Sequence, residues 1–234
     1  MKKLAIIFIV LFSVAAFAQT QELYIEKSVA VGLGWRHFEI DNAYGDPFDG
    51  IDLGAGFGIL FPVSDIVMLG SSVNIRHMSL SANETGIIQN AQYKAKTTLS
   101  YTGFNLVPQI RIGEVTKYVG LSFGISLPIS SKYTEKFSVP AYNYDTTETV
   151  NLNPDISYGL SIGARYNYIG AGIGFPLNDN DNNTWSLGVN LFLPLSTFIA
   201  VDGADKIGIV PSFTYYFEYE ASEFLLSIGV EYSF

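Results

Sequence analysis

The chain has 234 residues, enough for one sizeable domain, and its 13 basic and 22 acidic residues give a formal net charge of −9. An acidic chain without a basic run is a poor nucleic-acid binder, so we expect no nucleic acid among its partners. There is no cysteine, which excludes disulfides, thiol catalysis and a lipidated N-terminal cysteine.

The N-terminus has the three parts of a secretory signal peptide. Lys2 and Lys3 are basic, residues 4–12 form a short apolar run, and Ala16-Phe17-Ala18 supplies a small-x-small cleavage site. The apolar run is too short for a membrane helix, which is the alternative interpretation. The sequence therefore predicts a signal peptide over residues 1–18, which is removed, and a single exported domain over residues 19–234.

After a polar lead-in, the chain repeatedly alternates large apolar residues with small or polar ones. Side chains of a strand point to opposite faces in turn, so this pattern predicts strands with one apolar and one wet face. The predicted strands are 28–38, 51–61, 66–79, 96–112, 117–129, 155–166, 169–177, 184–195, 206–219 and 224–234.

The predicted connectors alternate between long and short along most of the chain. Residues 39–50, 80–95 and 130–154 are interpreted as long polar loops, whereas 62–65, 113–116 and 167–168 are interpreted as tight turns. The later connectors, 196–205 and 220–223, do not follow this alternation. Ten strands are therefore the preferred count, and eight or twelve are the alternatives.

The last strand has the strongest pattern, and its apolar members are Phe224, Leu226, Ile228, Val230, Tyr232 and Phe234. It is about as long as a tilted strand must be to cross a bilayer. A strand this apolar would aggregate if its edge were unpaired, so we expect it to pair with the first strand and close a barrel. This segment resembles the C-terminal strand of bacterial outer-membrane β-barrel proteins, which typically ends in Phe and is read by the barrel-assembly machinery.

The resemblance to the small porin-like and OmpA-like barrels implies an all-β fold, an antiparallel up-and-down transmembrane β-barrel. It also implies a monomer in the cell outer membrane of a Gram-negative-type bacterium. The expected partners are outer-membrane lipids and the barrel-assembly machinery. With both termini in the periplasm, the first, third and fifth connectors are expected outside the cell.

Eight ionisable residues occupy the alternate strand positions that are expected to face the barrel interior. Five lie towards the outer end, namely Arg36, Asp52, Arg76, Asp155 and Glu218, and three lie towards the periplasmic end, namely Arg111, Arg165 and Glu231. Because unpaired buried charge is costly, we predict two layers of ion pairs, one around Arg36, Asp52 and Arg76 and one around the periplasmic three. Such layers either brace the wall or line and narrow an aqueous lumen.

Three functions fit this pattern. The first is a porin-like channel or binder for small solutes, because many inward residues are Gly or Ser. The second is a structural or surface-interaction barrel with a plugged lumen. The third is a lipid-modifying enzyme, since His77 and Ser79 share one strand face and faintly resemble the His-x-Ser of outer-membrane lipid A deacylases. Two separated histidines and no cysteine predict no metal, and we expect neither a cofactor nor catalysis.

Overall fold

The computed structural model of the chain describes residues 25–40, 46–177, 185–218 and 221–234. The predicted signal peptide, residues 1–18, lies outside these ranges. Three short 3₁₀ turns are Pro140–Tyr142, Leu195–Thr197 and Ala204–Lys206. Within the described ranges, no helix is long and apolar enough to cross a membrane.

The described strands pair in antiparallel fashion, mostly with their neighbours along the chain. They are β1 (Glu26–Ile40), β2 (Phe48–Ser64), β3 (Val67–Ile88), β4 (Ala91–Glu114), β5 (Lys117–Val139), β6 (Tyr144–Leu152), β7 (Ser157–Tyr166), β8 (Ile169–Pro176), β9 (Trp185–Leu191), β10 (Leu193–Pro194), β11 (Ile207–Glu218) and β12 (Ala221–Ser233).

Ten of these strands form a closed ring. The order is β1-β2-β3-β4-β5-β7-β8-β9-β11-β12, and β12 pairs with β1 from Ser28↔Ser233 to Ile40↔Ala221. The two-residue β10 continues β9 along β11, and β6 pairs only with β5. The predicted closure between the last and first strands is confirmed, and so is the count of ten.

The two faces of the wall differ as the alternation predicts. Large apolar side chains project outward, and Val31 and Ile228 are 54% and 55% exposed. Glycines face inward on neighbouring strands, as in the pairs Gly32↔Gly54 and Gly32↔Gly229. An exterior this apolar is stable only in contact with lipid, and the closed ring leaves no ladder edge in the bilayer. The chain is therefore a transmembrane β-barrel.

The predicted loop over residues 80–95 is wrong. β3 and β4 remain paired to Ile88↔Ala91 and are joined by Gln89 and Asn90, which have φ angles of 48° and 65°. Two residues with positive φ are typical of a tight hairpin turn. The segment is polar on one face because it lies beyond the apolar band, where water replaces lipid.

The predicted loop over residues 130–154 is also wrong. β5 continues to Val139, and β6 returns beside it from Val139↔Tyr144 to Ser131↔Leu152. Residues 80–88, 91–99 and 131–139 therefore form, with β6, a four-stranded sheet that extends beyond the ring. We call it the projecting sheet.

The barrel has two distinct ends. The terminal end carries the chain termini, where the backbones of Lys27 and Phe234 exchange hydrogen bonds of 2.8 and 3.1 Å. The extended end carries the projecting sheet. At the terminal end, Asn167 and Tyr168 form the predicted two-residue turn between β7 and β8, and the φ angle of Asn167 is 54°.

Candidate functional site

Four ionisable side chains meet inside the barrel towards the extended end. Glu223, Arg36, Asp52 and Arg76 come from the neighbouring strands β12, β1, β2 and β3, so their charges alternate around the wall. Arg36 donates from Nε to Asp52 Oδ2 over 3.1 Å and forms an ion pair with Glu223. Arg76 Nε lies 2.8 Å from Asp52 Oδ1. We call these four residues the extended-end cluster.

Three of the four side chains in the extended-end cluster are shielded from solvent, whereas that of Arg76 is 31% exposed. The side chains of Arg36, Asp52 and Glu223 are 6%, 8% and 12% exposed. The guanidinium of Arg36 also lies 5.2 Å from the ring centre of Tyr216 on β11. Charges this buried are tolerated only when each has a partner, and here two carboxylates balance two guanidinium groups. The cluster therefore fills part of the barrel cross-section.

A second group of charges lies towards the terminal end and consists of Glu26, Arg111, Arg165 and Glu231, here called the terminal-end cluster. Arg111 Nη1 donates to Glu26 Oε1 over 2.9 Å. Because β1 and β4 are separated by two strands, this ion pair crosses the interior instead of following the wall. Arg165 donates from Nε to the carbonyl oxygen of Asn167 at 2.9 Å.

Aromatic rings support both arginines of the terminal-end cluster. The guanidinium of Arg111 lies 4.7 Å from the ring centre of Tyr118, and that of Arg165 lies 4.4 Å from the ring of Phe192. Such cation–π contacts favour one orientation of a long side chain. They hold both positive charges at the wall of the interior.

The structure brings some predicted charges together and separates others. Asp52 contacts both Arg36 and Arg76, the grouping that the spacing predicts. Glu231 lies near both Arg111 and Arg165, but in the described part of the chain no ion pair within 4.0 Å joins it to either of them. The partner of Arg111 is Glu26, which the sequence reasoning assigned to the polar lead-in.

The predicted lumen residues Asp155 and Glu218 lie beyond or at the ends of ring strands. The placement of Asp155 in the lumen is wrong, because it lies exposed on the connector between β6 and β7. The ring strand β7 begins at Ser157, two residues after Asp155, so the alternation of the wall does not determine where this side chain points. Glu218 ends β11, and its side chain lies outside what the structure describes.

Sequence reasoning missed Glu26 and Glu223. Both occupy inward positions of their strands. Glu26 lies two residues before the start of the predicted first strand, and Glu223 lies one residue before the start of the predicted last strand. Continuing the alternation from Ser28 to residue 26, and from Leu225 to residue 223, would have found them. Acidic residues are also common in loops, so their residue type alone does not assign these two positions to strands.

Three adjoining cavities occupy the interior. The largest, of about 730 Å³, lies towards the terminal end and is lined in part by Arg111, Arg165 and Asn190. A second, of about 390 Å³, reaches Asp52 and Arg76. A third, of about 210 Å³, lies beside Glu26 and Arg111. Glu231 lines all three, so they meet at its side chain.

The two histidines lie on the outer face near the extended end. His37 Nδ1 is 2.8 Å from Asp49 Oδ1, and its ring stacks on Phe224 with centroids 5.0 Å apart. His77 Nδ1 is 2.9 Å from Oγ1 of Thr102, its cross-strand neighbour. In the described ranges, no group of three or more His, Asp or Glu side chains is arranged to hold a metal.

The six apolar residues of the predicted assembly signal lie on the outer face of β12 or directly after it. Phe224 contacts Trp35 of β1, with ring centroids 5.2 Å apart. Phe234 stacks on Tyr232 at 5.4 Å, and Lys27 lies 5.7 Å from its ring centre. These contacts place both ends of the segment at the β1–β12 seam. The role of the segment in assembly stays a prediction.

Comparison with known proteins relates this chain to other barrels by fold. No protein-family model matches it, and no curated protein sequence does. Three similar solved structures are the attachment invasion locus protein Ail of Yersinia pestis with the heparin analogue sucrose octasulfate, the translocator domain of autotransporter NalP from Neisseria meningitidis, and an outer membrane channel from Pseudomonas putida F1.

Their likeness to this chain is distant in sequence and broad in coverage. Ail is 11% identical, with a TM-score of 0.38 over 90% of this chain and 99% of its own. NalP is 10% identical, with a TM-score of 0.38 over 98% and 95%. The channel is 12% identical, with a TM-score of 0.40 over 92% and 97%. The assignment of this chain as a transmembrane β-barrel rests on its own strand pairing and apolar exterior.

Proposed function

We propose that this chain is a porin-like barrel of the bacterial outer membrane that binds small polar solutes in its lumen and lets them pass. The observation that carries the proposal is the set of three adjoining interior cavities that meet at Glu231. Their walls include many Gly, Ser and Asn residues, which leave space and offer hydrogen bonds. On this proposal the terminal end faces the periplasm, and the extended end faces the exterior.

The charges give the passage two regions with different tasks. The terminal-end cluster has two carboxylates and two guanidinium groups around the largest cavity, so it offers polar contacts to a solute without a strong preference for one sign. The extended-end cluster is packed and charge-balanced, and we assign it as the constriction. Rings of charged side chains at a narrow point are a common basis of pore selectivity.

Liposome swelling tests the proposal directly. Vesicles containing the refolded chain should swell in neutral solutes of small size and stop swelling as solute size increases. Protein-free vesicles provide the baseline. Swelling no faster than this baseline in every solute would contradict passage and favour the second candidate, a plugged surface-interaction barrel, for which the projecting sheet is the supporting observation.

Reversing one charge in the lumen should change ion selectivity. In Glu231→Lys, the terminal-end cluster keeps one carboxylate, Glu26, against three positive groups, so anions should be favoured. We expect the cation-to-anion permeability ratio, measured from the reversal potential in a salt gradient, to fall roughly severalfold. Glu114→Lys, at the exposed turn after β4, is the control and should leave the ratio unchanged. An equal shift in both variants would count against Glu231 as a pore-lining residue.

We also propose that the barrel is inserted by the barrel-assembly machinery and lies as a monomer in the outer membrane. The outward residues of β12 fit recognition by barrel-assembly machinery, and the apolar exterior fits a monomer surrounded by lipid. A cleaved signal peptide over residues 1–18 fits export to the periplasm. We propose no catalytic role for this chain.

A further inference from the structure

The projecting sheet has two chemically different faces. Lys96 pairs with Lys136 across β4 and β5, Lys94 with Ser138, and Lys132 with Ser100, so all four lysines share one face. All four are exposed. We call this surface the lysine face. The opposite face carries Glu84, Glu135 and Glu148 beside stacked rings such as Tyr93 and Phe137, whose centroids are 5.4 Å apart.

The side chains on the two faces confirm this division. Tyr93 Oη donates a hydrogen bond to Glu84, and this bond raises the pKa of the Tyr93 phenol. Tyr133 Oη donates to Glu135 at 3.2 Å. On the lysine face, the hydroxyls of Thr134 and Thr149 lie 3.2 Å apart. Acids and lysines are therefore largely separated by the pleat of the sheet.

The lysine face continues the lipid-facing surface of the barrel. On β4, Lys94 and Lys96 are an even number of residues from Phe104, so the three side chains lie on the same face of the strand. Phe104 pairs with Ile75 of β3 on the outward surface of the barrel. On β5, the register shifts between Pro128 and Ser130, and this shift brings Lys132 and Lys136 onto the outward surface that Leu127 occupies before it. The opposite face continues the lumen wall through Tyr101. The lysines therefore point away from the pore and towards the surrounding leaflet.

The distribution of lysines in the chain is uneven. The seven lysines after the predicted signal peptide are Lys27, Lys94, Lys96, Lys117, Lys132, Lys136 and Lys206. Four form the lysine face and the other three lie at the terminal end. In the described ranges, no carboxylate lies within 4.0 Å of the four. One acid, Asp145, shares their face at its far corner, opposite Ser138.

We propose that the lysine face binds the phosphates of a phosphorylated glycolipid in the surrounding leaflet. Charge complementarity selects an anion, and continuity with the lipid-facing wall selects a lipid over a soluble partner. With strands tilted by about 40°, the four lysines lie roughly 8 to 26 Å beyond the last apolar residues of their strands, measured along the membrane normal. Lys132 is the nearest to the apolar band, and Lys94 is the farthest from it. A simple phospholipid headgroup layer is only about 5–8 Å thick, so the occupant carries phosphates on a taller headgroup.

Reconstitution of the full chain tests this inference. The probes are nanodiscs of neutral phospholipid that contain a bis-phosphorylated disaccharide lipid or its dephosphorylated form. We expect the wild-type barrel to retain the phosphorylated form preferentially through purification. Replacing the four lysines by Gln should reduce the retained lipid phosphate by about tenfold or more, whereas four Lys→Arg substitutions should preserve it. Gel mobility before and after heating establishes that each variant is folded.

The matched control replaces Lys27, Lys117 and Lys206 by Gln and should retain the phosphorylated lipid as the wild type does. Equal retention of the two lipid forms by the wild type, or full retention by the four-Gln variant, would overturn the proposal. A third arm adds soluble dextran sulfate. If it binds the lysine face while the phosphorylated lipid does not, the partner is a soluble polyanion and the lipid assignment is wrong.

Discussion

Replacing Asp52 by Ala should lower the free energy of unfolding of the barrel by about 3–5 kcal/mol, the usual cost of breaking a buried ion pair. The Asp52 carboxylate accepts hydrogen bonds from both Arg36 and Arg76, and its side chain is 8% exposed. Without it, Arg36 keeps only Glu223, and Arg76 loses its carboxylate partner. Urea unfolding in lipid vesicles, followed by tryptophan fluorescence, measures the loss.

Two further variants make this expectation specific. Asp65→Ala removes an exposed carboxylate from the turn after β2 and should change stability by no more than about 0.5 kcal/mol. Combining Asp52→Ala with Arg76→Leu should recover part of the loss, because the second change removes the unpaired charge. If Asp52→Ala and Asp65→Ala were equally stable, the extended-end cluster would not brace the wall.

The second large effect concerns the constriction. The double variant Arg36→Ala/Glu223→Ala removes one ion pair without changing the net charge, and it leaves Asp52 paired with Arg76. Because the removed side chains fill part of the cross-section, single-channel conductance should rise roughly twofold or more. Planar-bilayer recording at fixed salt and voltage measures it.

The control for this variant removes an acid and a base elsewhere. Glu114 and Lys117 face each other at the exposed turn between β4 and β5, outside the packed cluster. Glu114→Ala/Lys117→Ala should leave conductance unchanged. A double variant at Arg36 and Glu223 that folds and conducts like the wild type would show that the narrowest point lies elsewhere.

The fold was largely predictable because the alternation of apolar and polar residues can be read within each strand. Inside the bilayer this alternation is required, since one face of every strand contacts lipid. Phe224 to Phe234 has apolar residues at every second position, and these side chains lie on the outer face. Beyond the bilayer that constraint disappears. Residues 80–95 and 144–152 are polar on one or both faces, so their composition matches a loop although their backbones pair.

The candidate site was predictable in part for the same reason. Inward parity alone brought Arg36, Asp52 and Arg76 together, since they occupy neighbouring strands near one level. The pairing of Arg111 with Glu26 depends on a side chain reaching across the interior, and strand order does not determine that contact. Asp155 was misplaced because the predicted strand 155–166 begins two residues before β7, which starts at Ser157.

The central claim is that the lumen conducts, and single-channel recording of the wild-type chain tests it most directly. After reconstitution in a planar bilayer, we expect discrete conductance steps, a reversal potential that shifts in Glu231→Lys, and larger steps in Arg36→Ala/Glu223→Ala. A folded wild-type barrel that inserts into the bilayer and passes no ions at any applied voltage would contradict it.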